Sequence, residues 1–112
     1  MNSLAKRKCI PCEGNVAPLV PAQAEELLKQ LNPDWMLIDE ARLLVKEFRF
    51  KDFAQAMNFA QEVGKIAEVE GHHPDLNIGW GRVAIELTTH AIEGLSENDF
   101  ILAAKIDELE KK

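Results

Sequence analysis

Apolar and polar positions fall into a regular order only from Pro21 onward. Proline at a first helical position, Glu25 and Glu26 early, and a stripe of Leu27, Leu28 and Leu31 predict a helix that Asn32-Pro33-Asp34 ends. Residues 35–38 read as a short strand, 39–42 as a turn and 43–50 as a second strand. In that second strand Leu44, Lys46, Phe48 and Phe50 share one face, while Val45, Glu47 and Arg49 share the other. Lys46 interrupts the more apolar face. Asp52 is placed to cap a long helix running to about Glu70, with Phe53, Met57, Ala60, Gly64 and Ala67 at helical spacing. Gly71 stands where a left-handed cap belongs, and His72-His73-Pro74-Asp75 cannot continue the helix. Residues 76–80 and 82–90 predict a second pair of strands about Gly81, and Ser96-Glu97-Asn98-Asp99 opens a final helix ending near Glu110.

The order is therefore α-β-β-α-β-β-α. Two hairpins with helices between them are solved most economically by a four-stranded antiparallel sheet with three helices packed on one face, an α+β fold. Residues 1–20, punctuated by Pro11, Gly14 and Pro18, read as an irregular N-terminal extension, and 21–112 as a single domain. At 112 residues the chain suffices for one hydrophobic core and is too short for two comfortable domains. The two edges of such a sheet make a homo-oligomer plausible on general grounds.

Charge narrows the function. Nineteen acidic residues against thirteen basic ones give a net charge of −6. That balance speaks against direct nucleic-acid binding, which depends on clustered Lys and Arg, and against an anionic membrane surface. No apolar run approaches the eighteen or so residues of a membrane span, and the basic Lys6-Arg7-Lys8 is not followed by the apolar core of a secretory signal. A cytoplasmic protein is the expectation. Cys9 and Cys12 form a Cys-x-x-Cys that reads as exposed thiols, as half of a metal site or a disulfide, or as a redox pair.

All three histidines, His72, His73 and His90, fall within nineteen residues. Imidazole exchanges protons near neutral pH, and the C-terminus of the long helix favours its charged form. Glu68, four residues before His72, shares a face with it if the last turn stays helical, and would orient the ring. The same residues have plainer readings: solvated loop histidines, a surface glutamate, Asp99 as a helix cap, and Trp35 and Trp80 as core or pocket-rim side chains. A three-histidine metal site is strained by the adjacency of His72 and His73.

The run Glu68-x-x-x-His72-His73-Pro74, then Trp80, His90 and Asp99, resembles the signature of the pterin-4a-carbinolamine dehydratases, also called 4a-hydroxytetrahydrobiopterin dehydratases and including dimerisation cofactors of a homeodomain factor. Phe50-Lys51-Asp52-Phe53, Thr89-His90 and Gly94-Leu95-Ser96-x-x-Asp99 extend the resemblance over roughly residues 21–110. Cys9-x-x-Cys12 with Ala17-Pro18-Leu19 is similar to the bacterial members that accompany phenylalanine hydroxylase. The chain departs from vertebrate members at Gly71, Leu76 and Ile92, where those carry an acidic residue, Trp and Cys.

The resemblance implies a hydro-lyase that dehydrates 4a-hydroxytetrahydrobiopterin to quinonoid dihydropterin, with no cofactor and no metal. It implies His72, His73 and His90 as catalytic groups, and Glu68, Gly71, Trp35, Trp80, Thr89 and Asp99 as pterin-binding residues, with Asp99 at the pocket rim. The implied partners are the pterin itself, functional coupling to phenylalanine hydroxylase and dihydropteridine reductase, and a second copy or copies in a homodimer or homotetramer. A coactivator or hydroxylase-supporting role without essential catalysis is the alternative.

Overall fold

Alternation in two central strands sets the architecture. In the computed structural model, which describes residues 3–9 and 17–110, β1 (Met36–Ile38), β2 (Leu43–Arg49), β3 (Asp75–Gly79) and β4 (Arg82–Leu87) form one antiparallel sheet in the order β1-β2-β4-β3. Phe48 lies opposite Val83, Lys46 opposite Ile85 and Leu44 opposite Leu87, and all six side chains are buried. Successive strand residues point to opposite faces, so this register gives the sheet one inner face. Glu47, Arg49 and Glu86 turn outward, and Met36 and Ile38 of β1 are exposed. The inner face is covered by α1 (Pro21–Leu28), α2 (Phe53–Glu70) and α3 (Glu97–Glu110), the order read from the sequence.

Element ends follow local chemistry. Pro21 opens α1, and the Val20 N–H donates to Gln23 Oε1 at 3.1 Å. Asp52 caps α2, accepting from the Gln55 N–H at 2.9 Å. Gly71 closes that helix at φ 68°. The β3–β4 hairpin needs Gly81 at φ 69°, where a Cβ would stand 2.9 Å from the Phe50 carbonyl oxygen. Between β1 and β2 three successive non-glycine residues, Asp39, Glu40 and Ala41, all take positive φ.

Four details correct the sequence reading. The buried stripe of α2 is Ala56, Ala60, Val63 and Ala67, which keeps Ala60 and Ala67 of the expected face but has Ala56 and Val63 in place of Phe53, Met57 and Gly64, and Phe53 is 47 % exposed. Small side chains let α2 approach the sheet and α3 closely, so the largest apolar residues are not the most buried. The first strand begins at Met36, because Trp35 turns inward and donates Nε1–H to Asp107 at 2.8 Å. The fourth strand ends at Leu87, short of His90, which lies in a 3-10 turn, His90–Ile92. Closure of that loop by the Thr89 N–H on the Gly94 carbonyl (2.8 Å) leaves no ladder for the chain to continue. Residues Ser3–Lys6, inside the stretch read as an irregular extension, form a 3-10 turn whose Leu4 enters the core.

Lys46 is the most informative inner-face residue. It is 5 % exposed, with Nζ 3.3 Å from Asp107 Oδ1, 3.1 Å from Glu110 Oε1 and 4.4 Å from the centre of the Phe48 ring. Its charge is therefore matched by α3, which explains how an apolar face tolerates it.

Candidate active site

Four chain ends meet at one end of the sheet: the C-terminus of α2, the start of β3, the loop after β4 and the N-terminus of α3. Gly71 reverses the chain as α2 ends, with its own N–H and that of His72 both on the Ala67 carbonyl. The reversal aims His72 at α3, away from Glu68. His72 Nε2 lies 2.5 Å from Asp99 Oδ1. The expected Glu68–His72 pair does not form, because the last turn does not continue through Gly71. Glu68 meets His73 instead, Oε2 to Nε2 at 2.5 Å, in an exposed pair.

Asp99 is fully buried, which corrects its expected place at a pocket rim. Its second oxygen, Oδ2, accepts from Thr89 Oγ1 at 2.8 Å and from the Ser96 N–H at 3.0 Å. Since Thr89 spends its hydroxyl proton on Asp99, the Ser96 hydroxyl donates to Thr89 Oγ1, 2.8 Å away. Asp99 thus caps its own helix and orients an imidazole with the same carboxylate. A carboxylate only accepts, so Nε2 of His72 carries the proton and Nδ1 is left for chemistry. The pair also bridges two helix ends, with the imidazole at the negative end of α2 and the carboxylate at the positive end of α3.

A cleft of about 240 Å³ opens over this pair, lined by His72, His73 and His90 with Gly71, Thr88, Thr89, Ala91 and Asn98. All three histidines therefore share one cleft. His72 is the enclosed one, its side chain 11 % exposed, while His73 and His90 are largely open to solvent. His90 Nε2 lies 4.0 Å from Asp75 Oδ2. Neither tryptophan joins the group. Trp35 is 2 % exposed and bonded to Asp107, and Trp80 stands in the β3–β4 turn at the opposite end of β3, 75 % exposed.

Thr88, Asn98 and Asp75 escaped the sequence reading. Thr88 and Asn98 adjoin the singled-out Thr89 and Asp99, and Asp75 follows the His-His-Pro run. That adjacency is the one signal that could have found them. Of the Cys-x-x-Cys, Cys12 lies outside the described residues. The Cys9 thiol is half-buried and pushed up to about 12 by burial first and by the negative charge of Glu70 second. A thiol held neutral in this way is a poor nucleophile at physiological pH.

Comparison with known proteins now decides the family. The family model for pterin 4 alpha carbinolamine dehydratase matches residues 17–109. The chain belongs to that family, a family of hydro-lyases. Among relatives that carry the family's name, one from Methylococcus capsulatus is 51 % identical over 107 residues, covering 96 % of this chain and 93 % of the relative. One from Halorhodospira halophila is 48 % identical, covering 96 % and 97 %, and one from Rubrobacter xylanophilus 47 %, covering 97 % and 100 %. The fold is similar to a transcriptional coactivator/pterin dehydratase from Brucella melitensis, with a TM-score of 0.76 and 30 % identity over 82 % of this chain and 97 % of that one. A pterin dehydratase-like protein identified as a RuBisCO assembly factor in the alpha-carboxysome aligns with a TM-score of 0.58 and 28 % identity, over 68 % of this chain and 88 % of that one. In different proteins, then, this scaffold goes with the names dehydratase, transcriptional coactivator and RuBisCO assembly factor.

Proposed function

We propose that this member dehydrates 4a-hydroxytetrahydropterin to quinonoid dihydropterin by proton transfer through its histidine cleft. The observation that carries the reading is the His72–Asp99 pair, buried below a cleft that His73 and His90 also line. The reaction breaks the C4a–O bond and the N5–H bond and forms C4a=N5. One group delivers a proton to the leaving hydroxyl, which departs as water, and another accepts the proton from N5. No net proton is gained or lost. Hydroxide is a poor leaving group, so its protonation in the transition state is where an acid helps most, by roughly 10²–10⁴-fold.

His72 is suited to one of the two transfers, because Asp99 fixes its tautomer and holds its ring. His90, across the cleft and close to Asp75, is placed for the other. His73, held by Glu68, positions the substrate, while Gly71 and Thr89 present backbone to the pterin ring. Asp99 acts through His72 and does not itself touch substrate in this reading. The chemistry calls for neither metal nor organic cofactor.

The finer context is proposed on the same footing: recycling of the pterin used by phenylalanine hydroxylase, with a reductase consuming the quinonoid product, in a cytoplasmic homo-oligomer. None of the helices is long and apolar enough to cross a membrane, among the described residues. A protein-docking role is favoured by the exposed Met36 and Ile38 on the open face of the sheet.

Stopped-flow absorbance of freshly generated 4a-hydroxytetrahydropterin tests the reading, with wild type and His72→Ala side by side. Accelerated decay that drops by roughly 10²-fold or more in the variant is the expected result. No acceleration by folded wild type overturns the catalytic reading and leaves docking in its place.

A further inference from the structure

Glu70 is a buried carboxylate that the proposed chemistry does not use. Its side chain is 6 % exposed, yet it stands two residues before His72, at the last position of α2. Its partners lie in the N-terminal segment and on α3. Oε1 accepts from the Cys9 N–H at 2.9 Å, and Oε2 lies 3.6 Å from Lys105 Nζ. Lys105 in turn donates to the Ala5 carbonyl at 2.8 Å. At the other end of the segment the Cys9 thiol points to the Asn98 carbonyl at 3.6 Å, one residue before Asp99. Leu4 packs in the core beneath, and the Ser3–Lys6 turn lies along α3.

Residues 5–9 therefore run along α3 from Lys105 back to Asn98, seven residues or about 10 Å of helix. They also grip the end of α2 through Glu70. These are the two elements that carry His72 and Asp99. We propose that residues 5–9 form a strap that ties the C-terminus of α2 to the N-terminus of α3, and that Glu70 is the positioning residue through which it fixes the His72–Asp99 contact. The inference rests on the reading of His72 as a proton-exchanging group for its effect on rate, but not for its effect on geometry. The physical basis is leverage. A short hydrogen bond between two helix ends tolerates little relative movement, and a shift near 1 Å at a reacting group can cost roughly 10²-fold.

The test uses the full chain and a spectroscopic signature that a merely stabilising residue would not move. The His72 Nε2–H proton, bonded to a carboxylate, gives a low-field proton resonance, assigned by its absence in His72→Gln. Glu70→Ala removes both grips at once, Glu70→Gln keeps an oxygen for the Cys9 N–H, and Lys105→Met loosens the strap from the α3 side. In Glu70→Ala and Lys105→Met the resonance moves upfield and broadens, and kcat falls roughly tenfold or more with KM within about twofold. Glu70→Gln recovers most of both. An unmoved resonance and unchanged kcat in these two variants, with wild-type circular dichroism, overturn the strap; if one does not fold, the other decides. A wild type without dehydratase activity whose resonance still responds to Glu70→Ala upholds the strap and overturns the catalytic reading instead.

Discussion

Two aspartates on α3, Asp99 and Asp107, are both buried, at 0 % and 3 % exposure, and each uses both carboxylate oxygens. They are two helical turns apart on one face and do different things. Asp107 accepts from Trp35 Nε1 and the Asn32 N–H and pairs with Lys46. Its partners are an amine and an indole, both buried, and a half-buried backbone amide. Such a network locks β2 and the α1–β1 loop to α3 and contains no imidazole. Asp99 faces an imidazole whose far side borders a cleft. One carboxylate is thus built into the fold and the other into a proton-handling pair. The difference lies in the titratability and access of the partner, not in the burial of the acid.

The largest effect expected from breaking this contrast is on stability. Asp107→Ala leaves Lys46 and the Trp35 N–H buried with fewer partners, and urea unfolding should lose about 3–5 kcal/mol. Activity per folded molecule should hardly change; a large kcat loss in folded Asp107→Ala would mean the two networks are coupled. Asp99→Asn gives the complementary result. Both oxygens of Asp99 accept, so an asparagine that keeps its oxygen on the Ser96 N–H and Thr89 turns its amide NH2 toward His72 Nε2 and forces the imidazole into the other tautomer. The decay of 4a-hydroxytetrahydropterin should slow by roughly 10²-fold or more, with a smaller loss of stability near 1–3 kcal/mol.

A third acid sharpens the comparison through pH. Burial alone would raise the pKa of Glu70, but the Cys9 N–H, Lys105 and Lys8 outweigh it and hold the carboxyl below its usual 4.5. A depressed folded pKa means that its contribution is present above 4.5 and is lost as pH falls through the folded value. Urea midpoints of wild type and Glu70→Gln should therefore differ at pH 7 and converge towards pH 3. A gap that stays constant would show that the charge contributes nothing. The Cys9 thiol has the opposite sign: its folded pKa is raised, so stability from that group is lost only as pH climbs from about 9 towards 12.

The smallest effect lies outside both networks. Ala41 holds φ 64° in the β1–β2 turn, a conformation that glycine adopts without strain. Ala41→Gly should cost little or stabilise by a few tenths to about 1 kcal/mol in thermal unfolding. A loss beyond 1 kcal/mol would show that the turn is held by more than its backbone preference.

Much of this protein was legible in the order of its residues. Proline at 21, aspartate at 52 and glycine at 71 set helix ends through φ and hydrogen-bonding chemistry that act within a few residues. The alternation of β2 and β4 named the inner face, including the anomalous Lys46. The histidine group and Asp99 were legible too, as candidates. Their pairing was not, because it depends on how α2 ends: the left-handed turn at Gly71 sends His72 to Asp99, twenty-seven residues on, and leaves Glu68 to His73. The burial of Trp35 and the exposure of Trp80 were equally closed to a reading of spacing, since both are aromatic and both adjoin strands. Local sequence determined the elements and the chemical inventory, because capping and alternation are short-range effects. Only the tertiary structure decided which acid meets which base, because that choice is made where separate elements converge and one buried carboxylate satisfies groups from three of them.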